Sequence, residues 1–342
     1  YLKKGSTNNI NQLNMGIPKV NGVCDKSFIT QIAIIIPFVL ICIPSSLNRQ
    51  KDFGEGFPSI VDLAPSIPFV IMFCVLRELL ANKVLIKIGD RFVINKPEWT
   101  KEFRQFRVER FGLTSFKAMY YFIIAPLGIY LFRNEDWMPA ALFGAGKSDL
   151  RLLWEDFPYV PAVKYMALYY SFELGYHLHS LIYHLALPAR NDYYETLLHH
   201  LTTVFLVVLS YMNNCARIGV IVMVLHDIVD CVMYTAKACN DLGNDKIVVT
   251  LFGFLVYSYA RFRLYVFPRY VIPAAYMAKD YIPENASCGM LVWGVANALL
   301  IALLGLHVYW YAMILDMIRK LVTNKGIVDP HATEAAIKTN SE

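Results

Sequence analysis

Charged side chains are scarce in this sequence. Asp, Glu, Lys and Arg make up 17% of its 342 residues, against roughly 25% in soluble domains, a balance that points to lipid, and its apolar spans exclude a soluble enzyme. Ten-residue stretches of alternating polarity are missing too, which removes a membrane β-barrel. No basic stripe with interleaved aromatics is present, so nucleic acid is not expected as a partner. The seven cysteines, at 24, 42, 74, 215, 231, 239 and 288, include no CxxC pair and lack zinc-site spacing. They read as small apolar fillers, and a Cys215–Cys288 bridge would need both ends in an oxidising lumen. There is no internal repeat and no low-complexity segment.

Apolar length is abundant: 56% of the residues are hydrophobic. A span needs about 20 residues at roughly 1.5 Å each, and eight segments approach or exceed that. They lie at about 28–44, 64–87, 114–132, 162–187, 196–213, 216–238, 247–272 and 288–318. The first is short and carries Pro37 and Pro44. It does not read as a cleaved signal peptide, because a polar stretch precedes it and no small-residue cleavage site follows. The expected fold is an all-α polytopic membrane protein of about eight transmembrane helices. Four regions are expected: 1–63, a tail with one marginal span; 64–112, a span and a basic loop; 113–322, six spans; and 323–342, a tail.

Loop 88–113 carries Arg91, Lys96, Lys101, Arg104, Arg107 and Arg110. Short loops rich in Lys and Arg remain cytosolic. With eight spans this puts both termini in the cytosol, in agreement with Arg319, Lys320 and Lys325 near the chain's end. Loop 133–161, richer in acids, and the sequon Asn285-Ala286-Ser287 then face the lumen. Loops after residue 162 are short, so consecutive helices there should be antiparallel neighbours.

The stretch ETLLHHLTTVFLVVLSYMNNCARIGVIVMVLHDIVD, residues 195–230, breaks the apolar pattern. Its turn is expected at Asn213–Asn214, since asparagine suits turns. Counted outward from there at 1.5 Å per residue, His199, His200, Asp227 and Asp230 all lie roughly 20–24 Å deep. His226, Asp227 and Asp230 neighbour one another on one helix. Buried charges in a bilayer are expensive and pair or serve a site. Four such groups at one depth exceed what a helix staple needs. Iron-type boxes are absent: Thr196 stands where HxxHH needs a histidine, and His177, His179 and His184 do not form HxxxH. His177 instead lies one turn after Glu173 and can pair with it. No metal is expected. Contacts of His with Asp suit proton transfer or nucleophilic catalysis, because a carboxylate fixes the imidazole tautomer. A transporter's midplane would need Gly or Pro interruptions near the charges, and 196–212 and 220–238 contain neither residue. Arg261 and Arg263, in mid-span, are expected to pair with a membrane acid such as Glu173 or to meet phosphates.

These residues carry a resemblance. Arg190 and Asp192, His199-His200, Ser210-Tyr211, Arg217-x-Gly219, Leu225-His226-Asp227-x-x-Asp230 and Ala236-Lys237 resemble the Lag motif of ceramide synthases, in the TLC-domain superfamily. ERFGLTSFKAMYYFI (109–123) and GLHVYWYAMILDMIRK (305–320) are similar to that family's first and last TLC helices. The likeness covers about 57–322. Two departures stand out: there is no homeobox-like insert before the 114–132 span, and Val232-Met233-Tyr234-Thr235 replaces the usual glutamate-bearing stretch. The resemblance implies a six-helix TLC barrel or bundle in the endoplasmic reticulum membrane. It implies N-acylation of a long-chain sphingoid base by fatty acyl-CoA, a co-substrate, with no cofactor. It carries over His199, His200, Asp227 and Asp230 as the catalytic set, with His226, Asp192, Arg217 and Glu173 as supporting or substrate-binding candidates. Membrane lipids and homo- or hetero-oligomers are the expected partners. The rival from another class is a non-enzymatic TLC protein, translocation-associated or lipid-sensing.

Overall fold

The computed structural model describes residues 47, 49–54, 56–97, 99–186, 192–286 and 288–323. Residues 1–46, which include the expected span at 28–44, residues 324–342 and Ser287 of the sequon lie outside them. Seven long helices follow a short helical turn at Arg49–Phe53. They are α1 (Ile60–Phe92), α2 (Lys101–Phe132), α3 (Met166–Ala186), α4 (Tyr193–Met212), α5 (Ala216–Asn240), α6 (Asp245–Tyr281) and α7 (Gly289–Val322). No strand occurs among the described residues. All except α3 are long and apolar enough to cross a membrane, and the protein is an all-α multi-pass membrane protein. Among the described residues six of the eight expected spans are such helices and α3 is a seventh by length, while the first, at 28–44, lies outside them. Its 21 residues rise about 31 Å, yet Ser171, Glu173, His177, His179 and Ser180 are all buried inside the protein. A helix whose polar groups face protein can span with lower hydropathy.

Local signals set several boundaries. Ser59 and Asp62 form a reciprocal capping box at the start of α1, and the Thr100 hydroxyl accepts from the Phe103 N–H at 3.1 Å to start α2. Because nothing breaks the helix after Thr100, residues 101–113 are helical rather than part of a loop. The Asn213–Asn214 turn forms where the sequence places it. Asn214 adopts a left-handed φ of 53°, a conformation asparagine tolerates, and its Nδ2 donates to the Pro158 carbonyl at 2.8 Å. In α6, residues Ala260–Val271 are wound as a π-helix around Pro268, whose missing N–H releases the ordinary ladder.

The helices α2, α3, α4, α7, α6 and α5, in that order, close a ring of six. α2 packs most extensively on α5, and α2 meets α3 through the stacked rings of Tyr120 and Tyr176. α1 lies outside the ring against α2 and α3. Outward faces carry exposed Ile67, Ile71, Phe122, Ile123, Phe254 and Ile301, which would be costly in water but match lipid tails. Ionisable groups therefore collect inside the ring.

Candidate active site

Two cavities occupy that interior, and they meet at His177, His199 and Asp230, which line both. One runs toward the Asn213–Asn214 turn, has a cavity volume of about 140 Å³ and is walled mainly by apolar side chains such as Leu206, Ile218, Met223 and Leu300. The other, about 240 Å³, opens toward the basic N-terminus of α2 and is lined by Arg110, Lys117, Asp192, Lys237 and Arg263.

His199 and His200 project from α4. The edge of His199 meets Trp310 of α7 at a ring separation of 5.4 Å. Its Nδ1 is buried without a hydrogen-bond partner among the described residues, as is that of His200. An imidazole held by packing but with an unengaged nitrogen is available for chemistry. His200 lines the basic cavity and lies tilted against His184 at a ring separation of 5.4 Å.

The carboxylates are partnered differently from the expectation. Asp230 meets no imidazole: it accepts a 2.7 Å ion pair from Arg263 Nη2, with the side chains 11% and 4% exposed. A full guanidinium charge with forked donors outcompetes a neutral imidazole for a buried carboxylate, and the π-wound segment of α6 carries it there. Arg263 thus pairs with an acid, but with Asp230 rather than Glu173. Glu173 instead accepts from the Tyr120 hydroxyl at 2.9 Å, and His177 Nε2 lies 3.5 Å from it, as the one-turn spacing predicts. Asp227, 2% exposed, lies against Glu173 and faces the apolar cavity.

His226 is tied to His307 of α7, a residue that sequence reasoning passed over. Their Nε2 atoms are 2.9 Å apart, and His226 Nδ1 lies 2.6 Å from the Val222 carbonyl. A carbonyl only accepts, so Nδ1 carries the hydrogen, and in a neutral pair Nε2 of His226 accepts from His307. The only signal was a lone histidine in an apolar span. Asp192 stands at the mouth of the basic cavity, at the start of α4. Arg217 does not join the site: its Nη1 donates to the Leu152 and Glu155 carbonyls, at the opposite end of the bundle. Ser210 and Gly219 of the motif do packing work. The Tyr170 hydroxyl bonds Ser210 Oγ at 3.1 Å and the Ala216 carbonyl at 3.0 Å, in space that a Cβ at Gly219 would fill.

No group of three or more His, Cys, Asp or Glu among the described residues is arranged to hold a metal ion. Cys215 and Cys288 are free thiols.

A six-helix ring with these groups at its centre invites comparison, and the profile of the TLC domain matches residues 110–316. The chain belongs to the TLC-domain family. Among its relatives is the Alternaria stem canker resistance protein 1 of Solanum lycopersicum, 29% identical over 301 residues, covering 85% of this chain and 95% of the relative. The ceramide synthase LOH1 of Arabidopsis thaliana is 28% identical over 284 residues, 80% of this chain and 90% of its own. The ceramide synthase hyl-2 of Caenorhabditis elegans is 24% identical over 292 residues, 82% and 86%. The match to ceramide synthases is therefore spread along most of the chain and extends well beyond the His/Asp motif.

Proposed function

We propose that this TLC-domain protein is a ceramide synthase of the endoplasmic reticulum membrane, with both termini cytosolic. It transfers the acyl group of a fatty acyl-CoA to the amine of a long-chain sphingoid base. The observation that carries this reading is the junction of the two cavities at His199. One side is basic and opens where Arg104, Arg107 and Arg110 mark the cytosolic face, and the other is apolar. Acyl-CoA has an anionic head and a hydrocarbon tail, and the paired cavities fit the two parts with the thioester between them. The named ceramide synthases among its relatives support the same reading.

In this mechanism a ring nitrogen of His199 attacks the thioester carbonyl. The C–S bond breaks, and CoA leaves with the imidazole's proton as the free thiol. The resulting acyl-imidazole is shielded from water by the apolar walls. His200 stabilises charge that develops on the carbonyl oxygen. Asp227, backed by Glu173, receives the ammonium of the sphingoid base and takes its proton, which frees the lone pair. The amine then attacks, and the amide C–N bond forms as the bond between the acyl carbon and the imidazole breaks. The amine's second proton returns to the His199 ring, and Asp227 gives up its proton to solvent. Asp230 and Arg263 hold the wall between α5 and α6, and Lys117 and Lys237 attract the CoA phosphates. The donor set supplies acid–base and nucleophilic groups, so no metal cofactor is assigned.

The test is lipid mass spectrometry of a host lacking ceramide synthases. Expression of this chain should restore (dihydro)ceramide, and His199→Ala should abolish it while the protein stays inserted in the membrane. Unchanged lipids with wild-type protein present would leave a non-enzymatic TLC protein as the better account.

A further inference from the structure

At the turn end the apolar cavity is lined by residues that belong to none of the ring helices. Arg49, Phe53 and Phe57 line it there. Arg49 is 3% exposed, and its Nε donates to Asn213 Oδ1 at 2.9 Å, while its Nη1 lies 3.4 Å from Asp52 Oδ2. Gln50 Nε2 donates to the Phe57 carbonyl at 3.1 Å. Gly54 has a φ of 98°, a backbone that side-chain-bearing residues rarely adopt. The chain turns there, and the rings of Phe53 and Phe57 come within 5.0 Å. Phe53 also meets the edge of Tyr159 at 6.0 Å. Three of these contacts hold the segment's own turn, and two, Arg49 to Asn213 and Phe53 to Tyr159, fasten it at the end of the cavity.

We infer that Arg49, Phe53 and Phe57 form the floor of the acyl pocket and set the longest acyl chain the enzyme accepts. The inference rests on the ceramide synthase reading. Its magnitude follows from three helices that wall the pocket independently. Asn213 lies 14 residues after His199 on α4, Cys215 lies 15 before Asp230 at the start of α5, and Gly289 lies 14 before Leu303 on α7. Each run rises about 21–23 Å. An extended hydrocarbon advances about 1.25 Å per carbon, given bonds near 1.5 Å. The pocket therefore takes an acyl chain of about 17–18 carbons between the reacting carbonyl and the floor. A longer chain must displace Phe57, which is 5% exposed and packed. The guanidinium behind the rings is anchored on the α4–α5 turn, so the floor resists being pushed outward.

Membranes carrying the full chain would be given sphinganine and a mixture of acyl-CoAs of graded length, and product lengths read by mass spectrometry. The wild type should favour chains of about 17–18 carbons. Phe57→Ala removes a ring about 5 Å long and should move the preferred product up by roughly two to four carbons. Phe57→Trp should move it down, and Phe53→Ala should move it up. Active variants with unchanged length profiles would overturn the assignment, as would a wild-type profile centred at roughly 22 carbons or more. If Phe57→Ala does not accumulate, the opposite shifts of Phe57→Trp and Phe53→Ala decide. No ceramide from the wild type at any length would count against the proposed function itself, a separable outcome.

Discussion

Replacing Arg263 by Met keeps most of the aliphatic bulk between α5 and α6 and removes only the cation. Asp230 would then be left as a carboxylate 11% exposed, with its 2.7 Å partner gone. Breaking a buried pair from one side costs about 3–5 kcal/mol, because the remaining charge is uncompensated. Asp230 lines the cavities, where solvent can reach it in part, so the lower end applies. We expect Arg263→Met to lose about 3 kcal/mol, roughly a hundredfold in the folding equilibrium. Asp230→Asn should also destabilise, since it strands the guanidinium. The double variant should recover most of the loss, because removing both charges of a buried pair is often close to neutral. The assay is unfolding of detergent-solubilised protein followed by tryptophan fluorescence, run as a double-mutant cycle. Activity is no guide, since Asp230 lines both cavities beside His199, the proposed nucleophile. An Arg263→Met protein within about 0.5 kcal/mol of wild type, or a double variant no more stable than Arg263→Met, would refute the buried-pair reasoning.

The covalent route through His199 predicts that acyl-CoA alone releases CoA up to one equivalent and leaves one acyl adduct on the protein. Intact-mass spectrometry should show that adduct vanish on adding sphinganine, whereas active enzyme with neither burst nor adduct would favour direct attack by the amine. Tags at either end of the chain should be reached by antibody after selective permeabilisation of the plasma membrane. A protected N-terminal tag beside an accessible C-terminal one would remove the span expected at 28–44.

Much of the site was legible in one dimension. The depth of His199, His200, Asp227 and Asp230 depends only on helical rise counted from one turn, and Asn213–Asn214 forms that turn. The His177–Glu173 contact follows from i,i+4 spacing alone. Side-chain partners across helices were not legible. Asp230 faces Arg263 and His226 faces His307, at sequence separations of 33 and 81 residues. Arg217 is as much a part of the motif as Asp230, yet it braces a loop at the far end through two backbone carbonyls.

By itself the sequence determined which segments are helical, the membrane as their solvent and the level at which the ionisable groups collect. Each of these depends on composition, capping or rise within one segment. The tertiary structure decided which helices are neighbours and how each is rotated. Consecutive helices from α3 onward do touch, but the ring closes through α2 on α5 and α4 on α7, contacts between segments far apart in the chain. Lipid is as apolar as a helix interface, so hydrophobicity cannot tell a face that meets tails from one that meets protein. Only packing orients the faces, and with them the cavities that meet at His199.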